Sequence, residues 1–208
     1  MNIIREACVG SVEQAMIAEK RKADRVELCS RLDLDGLTPD RNIIERTMNL
    51  LSIPVKVMIR PKSGNFIYSK QDILKMESDI DFCKKIGVSE VVFGILNENS
   101  EVDIVLTSAI AKKAAPMDIT FHKAIDHVND IKHGLKRLSN VKEVTSILTS
   151  GGKDSALNGK DMIKDIIKQF SSRFKIIAAG GITDENLSLV HSCIDSTEYH
   201  GKRIVGQL

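Results

Sequence analysis

The chain has 208 residues, 42% of them hydrophobic and 28% charged, with 30 Lys+Arg against 28 Asp+Glu and a formal net charge of +2. That balance leaves no basic excess to hold a nucleic-acid backbone or an anionic membrane surface, so neither is an expected partner. With 4 prolines and 13 glycines the chain is neither fibrous nor disordered, and no apolar run approaches the ~18 residues of a membrane span.

The first apolar run, 2–9, reads as a strand, and Arg5 and Glu6 interrupt it too early for a signal peptide. Further strand-like runs follow at 24–29, 54–60, 90–96, 117–124, 146–150, 175–180 and 196–200. Between them, helical periodicity covers 12–23, 40–51, 70–86, 103–114, 130–139, 160–173 and 184–194. Ser11 with Gln14, and Ser69 with Asp72, have capping-box spacing. Thr38-Pro39 places a capping hydroxyl before a proline, and Thr183-Asp184-Glu185 puts a cap and two acids at a helix start. Ile73, Met76, Ile80 and Cys83 form one apolar stripe; Ile163, Ile166, Ile167, Phe170 and Phe174 form another. Strict βα alternation predicts a single α/β domain over 1–208. It fits a TIM-type (β/α)₈ barrel better than an open doubly wound sheet, which periodicity alone leaves open. About eight residues, Gly201 to Leu208, follow the eighth strand, so the barrel is expected to be truncated, with its eighth helix missing or rudimentary.

Strand parity then selects the side chains that point into the barrel. Helix-facing positions must be apolar, so Val26 and Leu28 put Glu27 and Cys29 inward. In the same way Lys56, Met58 and Arg60, then Thr120 and His122, point in, as do Glu6 and Cys8 on the first strand. These groups converge at the C-terminal strand ends, where barrels keep their chemistry. A buried carboxylate needs a partner or a proton, and Arg60 and His122 are the expected partners of Glu6 and Glu27. The bland alternative is a closed polar plug, with Cys8 and Cys29 as small core residues. Cys83 and Cys193 lie on apolar helix faces and read as core packing. Free thiols, with no CxxC pair, suit a reducing cytoplasmic location. Thr149-Ser150-Gly151-Gly152 and Gly180-Gly181 are glycine turns that offer N–H groups to an anion, with Arg60 as clamp. The RPKSGNF segment (60–66) is a candidate mobile loop over the mouth.

In order along nearly the whole chain, REAC–GS, ADRVELCS, GLTP, IPVKVMIRPKSGNFIYS, TFHKAID, ILTSGGK–SAL–G and AAGGIT resemble the CutC family. The resemblance implies a (β/α)₈-like barrel in the cytosol, tied by name to copper homeostasis, with cysteines as Cu(I) ligands. Carried over onto matching positions, its inner-strand residues are Glu6, Cys8, Glu27, Cys29, Arg60, His122 and Asp126. Lys123 stands where the family often has Arg, and the chain ends sooner after the eighth strand than many members do.

Two functions remain in view. One is copper handling, with Cys8 and Cys29 sharing Cu(I), a soft ion that accepts low coordination. The other is an enzyme on a small anionic metabolite. There Glu6, Glu27, His122 and Asp126 would supply acid–base groups, and Arg60, Ser150, Gly151, Gly180 and Gly181 would hold the anion. A missing eighth helix would also expose apolar strand surface, which predicts a homodimer unless Ile204, Val205 and Leu208 fold back to cover it.

Overall fold

The structure, a computed structural model, describes residues 3–208. The strand expected from residue 2 therefore begins outside the described residues. The elements are β1 (Ile4–Val9), α1 (Val12–Lys20), β2 (Arg25–Leu28), α2 (Arg41–Leu50), β3 (Val55–Met58), α3 (Lys70–Lys85), β4 (Glu90–Phe93) and α4 (Ile104–Ala114). They continue with β5 (Asp118–Phe121), α5 (Ile131–Leu138), β6 (Val144–Thr149), α6 (Lys160–Phe170), β7 (Lys175–Ala179), α7 (Leu187–Ile194) and β8 (Glu198–Gly201). All neighbouring strands are parallel and the sheet closes, β8 pairing with β1. This is the TIM-type barrel that the alternation predicts.

Alternate strand residues build the layer between barrel and helices. Val26, Leu28, Val57, Val91, Phe93, Ile119, Phe121 and Ile147 are all fully buried there. Ser11 caps α1 by accepting from the Gln14 N–H, and Ser69 with Asp72 closes a reciprocal box at α3. Thr38 behaves differently from expectation. The backbone is still extended at Asp40, so α2 starts beyond it, and the Thr38 hydroxyl accepts from the Arg60 N–H at 2.8 Å instead. Thr183 and Asn186 bond reciprocally, Asn186 accepting from the Thr183 N–H and Thr183 from the Asn186 N–H, in a turn that precedes α7.

After β8 the chain folds back across the place of an eighth helix. Ile204 and Val205 are buried, and Leu208 packs on the same core. The Arg203 carbonyl accepts from Asp184 and Gly206 N–H groups, and Arg21 reaches the Val205 carbonyl. The open groove from which a homodimer was expected is therefore filled by the chain's own tail. No helix of the described residues is long and apolar enough to cross a membrane.

Candidate functional site

Inside the barrel the polar residues separate into two layers. The lower one is an ion-pair layer. Glu6 on β1 pairs with Arg25 on β2 and with Lys56 on β3, and Arg25 also pairs with Glu198 on β8. Lys56 continues to Glu90 at 2.7 Å and donates to Thr120 at 2.9 Å. Burial opposes ionisation of Glu6, but Lys56, His200 and Arg25 hold its carboxyl well below the ordinary range. Arg60 and His122 are not its partners, contrary to expectation. Arg25 and Lys56 lie on the nearest inward positions of β2 and β3, and they saturate it. Glu6 thus belongs to the plug.

One layer up, register brings four reactive groups together. Cys8 lies opposite Glu27 on β2, and Glu6 lies opposite His200 on β8, so Glu27 and His200 flank β1. His200 contacts Glu6 Oε1 through Nδ1 at 2.8 Å and Glu27 Oε2 through Nε2 at 3.6 Å. The Cys29 thiol donates toward Glu27 Oε2 at 3.6 Å. One donor atom each from Cys8, Glu27 and His200 lies within 4.8 Å of the others. Hydrogen bonding from Cys29, helped by His200, holds the Cys8 thiol well below its usual value; Cys29 is correspondingly raised. Burial pushes the Glu27 carboxyl up to about 8. Against the cost of burial, Glu27, Cys8 and Glu6 raise His200 well above the ordinary imidazole value.

Arg60 and His122 line the same chamber from β3 and β5. Arg60 is buried, its Nη1 donating to the Leu34, Asp35 and Gly36 carbonyls and its Nη2 to Gly64. Its guanidinium lies 4.9 Å from the Phe66 ring, and Phe66 also sits 4.9 Å from the His122 ring. The 60–66 loop is therefore tied down over the mouth; Leu96 N–H adds a bond to the Phe66 carbonyl. Arg60 holds this loop rather than a carboxylate. His122 accepts from the Ala124 N–H through Nδ1, which leaves Nε2 to carry the proton of the neutral ring. Burial, reinforced by the Arg60 charge, drops the His122 pKa to about 3.

Asp126 sits elsewhere. Its carboxylate accepts from Ser150 N–H at 2.8 Å, Gly152 N–H at 2.9 Å, Ser150 Oγ at 2.9 Å and the Thr149 hydroxyl. Gly151 N–H turns to Thr149 Oγ1. The glycine turn after β6 is thus filled from within the chain, and Ser150 and Gly151 do not reach the chamber, whereas Gly180 and Gly181 line it. Asp126→Ala leaves several buried donors without an acceptor. It should cost about 3 kcal/mol, since bonds to a charged group are worth roughly 1.5–3 kcal/mol each. A urea titration reads this directly, and a loss under ~1 kcal/mol would mean that water replaces the carboxylate.

The chamber has a volume of about 860 Å³ and is lined by Cys8, Glu27, Cys29, Arg60, His122 and His200, among others. Sequence reasoning missed His200 and Arg25. Both carry the parity signal used elsewhere: Arg25 is two residues before Glu27, and Tyr199 faces the helices, bonding His191 at 2.7 Å, so His200 must turn inward.

The family model described as the CutC family matches residues 3–205. A Homo sapiens protein named copper homeostasis protein cutC homolog is 40% identical over 197 residues, which cover 95% of this chain and 72% of the human one. An Aliivibrio fischeri family protein CutC is 40% identical over 190 residues, covering 89% of this chain and 76% of that one. Among solved structures, the Streptococcus agalactiae protein CutC superposes with a TM-score of 0.92 at 29% identity, covering 97% of this chain and 99% of that one. Dihydrodipicolinate synthase from Bacillus anthracis, with a TM-score of 0.69 at 11% identity, covering 97% of this chain and 70% of its own, shares the fold alone.

Proposed function

The chain belongs to the CutC family, and from that premise we propose that its chamber takes one copper(I) ion as cargo on Cys8, Cys29, Glu27 and His200, in a reducing cytoplasm. The observation that carries this reading is the convergence of Cys8, Glu27 and His200 donor atoms within 4.8 Å, with the Cys29 sulfur beside them. The donor chemistry fits: two sulfurs and an imidazole suit a soft ion, and Glu27 Oε1 is buried without a partner. Metal binding must displace protons from Cys29, Glu27 and His200, all of which are raised. Affinity should therefore climb with pH, steeply through about 8, with protons released. Competition titrations against a Cu(I) chelator at pH 6.5 and 8.5, with zinc(II) in parallel, test this. The expected result is one Cu(I) per chain, tighter at the higher pH. Affinity indifferent to pH, or zinc held in preference, overturns it.

A second reading, an enzyme acting on a small anionic metabolite, is favoured by one observation. A chamber of about 860 Å³ is far larger than an ion needs and falls in the ~300–1,000 Å³ range of organic-ligand sites. Glu27 would be its general acid, and neutral His122 would donate through Nε2.

A further inference from the structure

The turns after β6 and β7 are built alike, and only one of them is filled. After β6, Gly151 and Gly152 have φ of +70° and +72°, and their turn receives the Asp126 carboxylate. After β7, Gly180 and Gly181 have φ of +106° and +68°, again two successive left-handed residues that only glycine adopts without strain. At the first turn the Ser150 and Gly152 N–H groups aim into one concavity and hold an anion. Among the described residues, nothing in the chain accepts from the Gly181 or Ile182 N–H. The chain's own Asp126 shows what the first turn takes; the β7 turn is exposed at Gly181, so an anion bound there would come from outside.

The surroundings carry more positive than negative charge and so favour an anion. The β7 turn opens onto the chamber, and the end of β8 with the loop after it brings Gly201, Lys202 and Arg203 to the same wall. Lys202 Nζ donates to the Leu32 carbonyl at 2.8 Å, which places its charge across the mouth. Asp154 also lines this side and keeps its negative charge, its carboxylate accepting from Asn158 at 2.8 Å, so Lys202 and Arg203 must outweigh it. Independently, Glu27 Oε1 and His122 Nε2 are buried in the same chamber with no partner. Leaving a buried polar group unpaired is costly, so both ask for a ligand's polar atoms.

We infer that the β7 turn and the β8 loop bind the phosphate of a small phosphate monoester, whose hydroxylated body extends toward Glu27 and His122. This rests on the organic-ligand reading of the chamber and names its ligand class.

Calorimetric titration of the whole chain in phosphate-free buffer tests it, with glycerol 3-phosphate, inorganic phosphate and glycerol as probes. Both phosphates should bind, the monoester more tightly, and glycerol should not. Gly181→Asp would supply an internal carboxylate as Asp126 does at the other turn. Its Cβ meets nothing closer than the Ser155 Cβ at 3.8 Å, so the cost is backbone strain at φ +68° rather than a clash, and aspartate is among the side chains that tolerate that region. It should weaken the monoester at least ~10-fold by like-charge repulsion while leaving Cu(I) affinity unchanged. Should that variant unfold, the pair Lys202→Gln and Arg203→Gln carries the same test, with weaker binding and a flatter salt dependence expected. Failure of the parent chain to prefer the phosphates over glycerol overturns the inference, as do variants that bind like the parent. A chain that binds the monoester but transforms no phosphate ester keeps this subsite and loses the enzymatic reading.

Discussion

A chain carrying both Cys8→Ser and Cys29→Ser is expected to lose more than ~100-fold in Cu(I) affinity, since even outer partners of metal ligands are worth 10–100-fold. The argument is chemical: a hydroxyl is a hard, weak donor that stays protonated, and Cu(I) selects thiolate. The two sulfurs sit in an apolar patch with Met58, Val92 and Leu32, so water is a poor substitute ligand there. Cys83 is fully buried under α3, where burial pushes its thiol up to about 12, and Cys193 is partly buried on α7. Serine at both of those positions should leave the affinity unchanged. A competition titration of the two double variants, with melting curves as folding controls, separates the outcomes. Equal affinity in both would remove the thiols from the site.

Glu6→Ala should destabilise the chain by about 3–5 kcal/mol, the cost of stranding buried charges by removing one partner. Glu6 is fully buried and pairs with Arg25 and Lys56 as well as contacting His200, so its loss leaves three cationic groups facing one another. Its carboxyl is held below the ordinary range in the folded chain. Its contribution is therefore complete above that range and disappears as pH falls through the lowered value. Urea midpoints measured against pH should converge for parent and variant at low pH and diverge above pH ~5. A parallel pair of curves would mean that Glu6 does not stabilise through its charge.

The barrel was legible in the sequence because βα alternation and strand parity are strong local signals. Val26 and Leu28 must be apolar to face helices, and that alone turns Glu27 and Cys29 inward. Partner choice was not legible. Which carboxylate meets which cation depends on the stagger between strands, and no side-chain period encodes stagger. Hence Arg60, inward by parity, spends its donors on the Leu34, Asp35, Gly36 and Gly64 carbonyls, while Arg25 and His200 take the acids. Asp126 was read as a site residue, with only resemblance behind it. Its place under the β6 turn follows from the short 3-10 turn after β5, which aims it sideways rather than into the mouth. The tail was legible as an alternative, since Ile204, Val205 and Leu208 are spaced to cover a groove.

Cys8, Glu27 and Cys29 lie within residues 8–29, and His200 follows Cys29 by 171 positions. The ribosome adds about 5–20 residues per second, so roughly 10–30 s separate synthesis of the thiols from synthesis of the imidazole. The thiols spend that interval on an emerging, unclosed chain, free to oxidise or to pick up whatever ion is at hand. Only the docking of β8 against β1 brings in His200, the last of the donors proposed above. On the copper reading proposed above, selectivity for the ion would therefore be acquired only once β8 has docked.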